Sequence, residues 1–95
     1  MLIAISKYTK PLEEVDSHRT AHIDYIKNLI AANKILAAGR QTPAIGAVII
    51  ANNISLDEFK NILKEDPYCK VDVAEYNIIE FNPALCNESF RAVIA

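Results

Sequence analysis

Lys34-Ile35-Leu36-Ala37-Ala38-Gly39 and Ala44-Ile45-Gly46-Ala47-Val48-Ile49-Ile50-Ala51 are two apolar runs separated only by the polar step Arg40-Gln41-Thr42-Pro43. Runs of this length around a short polar step predict two strands joined by a turn or short loop, a hairpin. Upstream, apolar residues recur at Leu12, Val15, Ile23, Ile26, Leu29 and Ile30. That spacing predicts the longest helix, over Leu12 to Asn33, with Pro11 suited to its first turn. Before it, Leu2 to Tyr8 is apolar and β-branched enough for a strand. Downstream, Ser55-Leu56-Asp57-Glu58 is a capping-box pattern, and Leu56, Phe59, Ile62 and Leu63 form the buried stripe of a second helix that Pro67 stops. Val71 to Phe81 is the final strand, and Asn82 to Ala95 is a tail of undefined structure. The resulting order, β-α-β-β-α-β, is the ferredoxin-like arrangement of the α+β class: an antiparallel sheet with two helices on one face.

A chain of 95 residues, 52% hydrophobic and 23% charged, with four Pro and two Gly, has the composition of one packed domain over 1–95. The formal charge of −2 supplies no basic field for a nucleic acid or an anionic membrane surface. The longest apolar stretch is too short to span a bilayer, and Met1 to Tyr8 lacks the basic region of a secretory signal. Cys69 and Cys86 are isolated, with no CxxC pattern, and read as reduced thiols; together these features predict a cytoplasmic protein.

Leu2 to Ile5, Ala47 to Ala51 and Val71 to Ile79 carry apolar residues on both side-chain parities, whereas a sheet wetted on one face alternates apolar with polar. Two helices cover one face only. The other is expected to pack against the sheet of a second copy, giving a homodimer.

At about 100° per residue, Arg19 and His22 fall within roughly 40° of the centre of the long helix's apolar stripe. Polar groups aimed at a core need partners or a polar cavity, so a cavity beneath this helix is expected. His22 alone would read as a core histidine bonded to a backbone carbonyl; Arg19 beside it points to a site. Asp66 is the second anomaly, since an acid at a helix C-terminus opposes the helix dipole. Its plainer reading is the first residue of the Asp66-Pro67-Tyr68 turn, bonding nearby backbone N–H groups. His18 and His22, four apart, could hold a metal with Asp66, but Arg19 stands where a helical zinc-protease motif needs Glu, so no metal is expected. Neither a Gly-rich phosphate loop nor a nucleophile elbow is present, and no cofactor is expected.

Arg19-Thr20-Ala21-His22 on a helix, Asn33-Lys34-Ile35-Leu36-Ala37-Ala38-Gly39 after it, and Asp66-Pro67-Tyr68 later resemble the YciI-like (YCII-related) family across most of the chain. The resemblance implies a dimeric α+β barrel of ferredoxin-like protomers with a His and Asp pair in a pocket. It places the active-site pair at His22 and Asp66 and the motif arginine at Arg19, with His18 outside the pattern. Some members of the family eliminate a halide from chlorinated hydroxyquinones. Family members often have a small, Gly-containing step after the D-P-[FY] motif; here Cys69-Lys70-Val71-Asp72 stands instead, which leaves pocket shape and substrate open.

The expected function is that of a small enzyme in which His22 transfers a proton and Asp66 bonds its other ring nitrogen. Arg19 would orient a carboxylate, phenolate or enolate, and Tyr68 or Tyr25 would line the pocket. The reaction class is elimination, isomerisation or hydrolysis of a small, anionic or phenolic organic molecule. A non-catalytic module binding a small metabolite is the alternative, and a haem-handling oxygenase, with His22 as axial ligand, is a third reading.

Overall fold

Along the first strand, Leu2, Ala4 and Ser6 are buried while Ile5 and Lys7 are exposed, and this alternation sets the two sides of the sheet. The computed structural model describes residues 1–94. Its elements are β1 (Leu2–Tyr8), α1 (Leu12–Asp16), α2 (Arg19–Ala31), β2 (Ala37–Arg40), β3 (Ala47–Ala51), α3 (Leu56–Glu65), α4 (Pro67–Lys70), β4 (Ala74–Glu80) and α5 (Glu88–Ile94). The four strands lie in the order β2-β3-β1-β4, every neighbouring pair antiparallel, which is the ferredoxin-like sheet. The hairpin predicted around Arg40 to Pro43 is β2–β3, with Ala37 opposite Ile50 and Arg40 opposite Ala47.

Two local departures from the predicted elements have physical causes. The long helix is two helices, because the Ser17 hydroxyl bonds the Glu14 carbonyl at 2.6 Å in competition with the helical ladder. The second of them, α2, ends on Asn33 at φ 60°, with Asn33 N bonded to Ile30 O and Lys34 N to Leu29 O, a Schellman closure. In α3, Ser55 accepts from Glu58 N as predicted, but the Glu58 carboxylate turns to the Lys34 ammonium at 2.8 Å instead of reaching back. The tail contains a further helix, α5, in which no residue is buried and Phe90 and Val93 are exposed.

The main core lies between the sheet and α2 and α3, where Leu2, Ala4, Ile49 and Ala51 meet Ile26, Phe59, Ile62 and Leu63. Full burial of one such side chain is worth roughly 1.5–3 kcal/mol. A second cluster of Val15, Tyr68, Val73 and Ala74 packs with Tyr8 below α1. The register leaves Ile3, Ile5, Val48, Ile50 and Ile79 on the opposite side of the sheet, where Ile5 is 38% and Ile79 44% exposed. Among the described residues no helix is long and apolar enough to cross a membrane.

One glycine fixes the corner where β3 meets the end of β1. A Cβ on Gly46 would lie 1.8 Å from the Ser6 carbonyl oxygen, so only glycine permits that approach. Ala47 N then donates to Ser6 Oγ at 2.8 Å, Tyr8 N to Ile45 O at 2.9 Å and Gln41 N to Gly46 O at 2.8 Å. These bonds seat the hairpin loop against β1 and bring Arg40 beside Tyr8.

Candidate active site

Asp66 owes its position to Pro67. The residue before a proline is driven out of helical geometry, and Asp66, at φ −59° and ψ 130°, ends α3 while serving as N-cap of α4. Its Oδ1 accepts from Tyr68 N at 3.0 Å, which is the turn-forming reading of this residue. The same oxygen lies 2.7 Å from His22 Nδ1, which is the site reading. Oδ2 accepts from the Tyr76 hydroxyl at 2.6 Å. Asp66 is fully buried and His22 is 9% exposed, so this is an ion-pair geometry inside the protein, with the carboxylate ringed by donors as burial requires.

The donors fix the tautomer. A carboxylate only accepts hydrogen bonds, so His22 Nδ1 carries the proton it gives to Asp66. Nε2 has no protein partner among the described residues, and no buried side-chain nitrogen or oxygen is left unpaired there, so Nε2 is open to the neighbouring cavity. Tyr68 holds the ring itself: its phenol stacks on the imidazole with centroids 3.9 Å apart and planes 4° from parallel. The Asp66 charge is felt around it. Burial, and then Asp66, hold the Tyr76 hydroxyl far above its ordinary titration range, and burial followed by Asp66 and Asp72 pushes the Cys69 thiol up to about 11. Cys69 is therefore a protonated, unreactive thiol near neutral pH. Both Cys69 and Cys86 are free.

His22 opens into a cavity of about 290 Å3 between α2, β2 and β3. Ile23, Ile26, Ile30 and Ile49 form apolar wall, and Arg19, Lys27, Arg40, Tyr8 and Tyr68 supply polar groups. A pocket of that size, apolar with a few convergent polar groups, suits a small organic ligand.

The sequence-derived site residues fall in three groups. His22, Asp66 and Tyr68 come together as one unit. Arg19 lines the cavity but is exposed rather than aimed at the core, because the break at Ser17–His18 makes it the first residue of α2. Tyr25 lies outside the cavity lining, with its hydroxyl donating to Ile62 O at 2.8 Å and its ring against the main core. His18 is the N-cap of α2 and shares none of the pair's hydrogen bonds. Tyr76, Arg40 and Tyr8 were not singled out by the sequence. Tyr76 carried a signal, since a phenol on the inward parity of a strand needs a polar partner; the other two become neighbours only through the hairpin register.

No curated protein matches the chain. One solved structure that it resembles is the 5-chloro-2-hydroxyhydroquinone dehydrochlorinase of Burkholderia phenoliruptrix AC1100 in complex with 2,5-dihydroxybenzoquinone. The two share 22% identity and a TM-score of 0.70, over 86% of this chain and 94% of that one, a likeness of fold. Residues 1–82 match the model of the YCII-related domain, and the chain belongs to that family.

Proposed function

We propose that this protein is a small enzyme that moves a proton with His22, assisted by Asp66, to drive an elimination or related acid–base reaction on a small phenolic or anionic molecule. The observation that carries the reading is the His22 Nδ1–Asp66 Oδ1 bond of 2.7 Å, which leaves Nε2 as an acceptor facing a ligand-sized cavity. In an elimination, Nε2 takes a proton from the substrate while the leaving group departs with its electron pair. Asp66 stabilises the imidazolium that forms, and the imidazolium then returns its proton to solvent. The similar fold of a dehydrochlorinase supports a chlorinated hydroxyhydroquinone as the first compound class to try. Arg19 at the cavity mouth would help hold such an anion, and Tyr68 would keep the imidazole in plane.

The reading includes a homodimer in the cytoplasm. Ile3, Ile5, Val48, Ile50 and Ile79 form an apolar face opposite the main core, with Ile5 and Ile79 exposed and the other three half-buried, and a second copy of the same sheet would bury it.

The test is chloride release and the change in visible absorbance with a panel of chlorinated hydroxyquinols. Wild type should turn over at least one of them, and His22→Asn should lower kcat by roughly 10²–10⁴-fold. Full turnover by His22→Asn would overturn the reading, whereas wild type that binds these compounds without turning any over, with binding kept in His22→Asn, would favour the binding module, which needs only fixed hydrogen bonds at that position.

A further inference from the structure

Arg40 sits at the end of β2 and lines the same cavity as His22, yet nothing in the acid–base chemistry uses it. Its guanidinium is held on two sides. Nε donates to the Tyr8 hydroxyl at 3.0 Å, and Nη2 donates to Asp16 Oδ1 at the end of α1. Tyr8 and Asp16 are the acceptors of good geometry that the fork has among the described residues, and the guanidinium also lies close enough to the Tyr68 hydroxyl to favour its ionised form. Because Tyr8 Oη accepts from Arg40, the Tyr8 O–H is free to donate, and Tyr8 lines the cavity too. Arg40 also lies over the Tyr8 ring, 5.5 Å from its centroid.

The charge on the lining has one sign. Arg19, Lys27 and Arg40 line the cavity and no Asp or Glu does, in a chain whose net charge is −2. Of these cations, Arg19 and Lys27 are exposed and make no side-chain hydrogen bond to the described residues, so each would have to be ordered by a ligand. Arg40 is already ordered, with its side chain only 21% exposed. Tyr68 links this group to the imidazole: its ring stacks on His22 at 3.9 Å and meets Tyr8 edge-on at 6.1 Å. The imidazole and the Arg40–Tyr8 pair thus line one cavity on either side of Tyr68.

We infer that Arg40 and Tyr8 form a preorganised anchoring subsite for an ionised ring oxygen, of the kind carried by a hydroxyquinone or phenolate, and that this pair selects the substrate's anionic form. Asp16 orients Arg40 from outside the cavity, and the Gly46 corner sets Arg40 beside Tyr8. The inference rests on the proposed use of this cavity, but its test reads binding and needs no turnover.

The experiment is equilibrium binding of 2,5-dihydroxybenzoquinone, whose ring hydroxyls ionise like carboxylic acids, against its uncharged analogue 2,5-dimethoxybenzoquinone. Wild type should bind the hydroxyquinone at least roughly tenfold more tightly, as expected for charge-assisted hydrogen bonds. Arg40→Gln should erase that preference while leaving the affinity for the dimethoxy compound within about threefold. Tyr8→Phe, which keeps the ring, should reduce it by roughly two- to tenfold and decides the matter if Arg40→Gln does not fold. Lys27→Gln should change it by less than about threefold, as for a solvated charge. Absence of a preference for the anion in wild type, including failure to bind either compound, overturns the inference. So does a preference that survives both Arg40→Gln and Tyr8→Phe, or one that Lys27→Gln removes. Turnover by His22→Asn would overturn the acid–base reading alone, because the anion preference is read from Arg40→Gln and Tyr8→Phe and stands or falls without it.

Discussion

Asp66 and Asp16 do the same job at two places around one cavity. Each stands behind a nitrogen-bearing side chain that faces the cavity, His22 for Asp66 and Arg40 for Asp16, and neither carboxylate lines the cavity itself. The settings are opposite. Asp66 is fully buried, with Tyr68 N, Tyr76 Oη and His22 Nδ1 on its two oxygens. Asp16 leaves 41% of its side chain in water. A buried pair has large desolvation terms on both sides of its balance, so removing one partner strands the other; a half-exposed pair is re-solvated when broken. Under the proposed function the buried carboxylate serves stability and chemistry together, and the exposed one orientation alone.

The largest expected effect is the loss of Asp66. Asp66→Ala leaves the Tyr76 hydroxyl, the Tyr68 amide and His22 Nδ1 without their acceptor, and it should lower stability by about 3–5 kcal/mol in a urea titration. In the folded fraction, 15N spectra of the imidazole should show the Nδ1–H tautomer giving way to a mixture. A stability loss below about 1 kcal/mol would place Asp66 in the same class as Asp16 and dissolve the contrast.

Next in size is Tyr76→Phe, which keeps the ring and removes one donor from Asp66. A hydrogen bond to a charged group is worth about 1.5–3 kcal/mol, and the stability loss at neutral pH should lie there. The same substitution should show at alkaline pH. Tyr76, Tyr68 and Tyr25 are raised above the ordinary 10.0, and Cys69 is raised from 9.0 to about 11, in each case first by burial. The folded protein therefore keeps protons that the unfolded chain releases first. Stability is whole below about pH 9 and falls as pH rises through the tyrosine range. Removing the Tyr76 phenol should make that fall shallower between pH 10 and 11, read from urea midpoints at each pH; an unchanged slope would mean that neither burial nor Asp66 holds the proton on Tyr76.

The difference between the two carboxylates also explains what the sequence made legible. Asp66 announces itself locally, by an acid at a helix end directly before Pro67, and His22 by its place on an apolar stripe. Each also has a plain local reading, as a core histidine and as a turn-opening acid, and it is the resemblance to the YCII-related family that joins the two as a pair. Strand order and the hairpin were equally local, since apolar runs and the Arg40 to Pro43 step are read within a few residues. Arg40 and Asp16 each look ordinary, one in a polar loop step and one at a helix end. Their meeting depends on the Gly46 corner and on the break at Ser17, which ends α1 at Asp16. Arg19 was misplaced for the same reason, because an unbroken helical period carries it inward and the broken helix leaves it at the rim.

The smallest effect on stability, and the sharpest separation of the two pairs, is expected from Asp16→Ala. An ion pair this exposed contributes about 0–1 kcal/mol, so the urea midpoint should barely move. Tyr8 still accepts from Arg40 Nε, and the guanidinium keeps one of its two tethers. The fork becomes free to rotate about that bond, so an anion must order it on binding, and affinity for 2,5-dihydroxybenzoquinone should fall by a few-fold, on the order of one immobilised side chain. The His22 tautomer should be untouched, because Asp16 takes no part in the hydrogen bonds of the Asp66 network. A variant with wild-type stability, wild-type imidazole spectra and weakened anion binding would show that orienting a ligand-facing cation and holding the fold together are separable tasks for a carboxylate. A loss of stability comparable to that of Asp66→Ala would instead show Asp16 to be part of the fold's support.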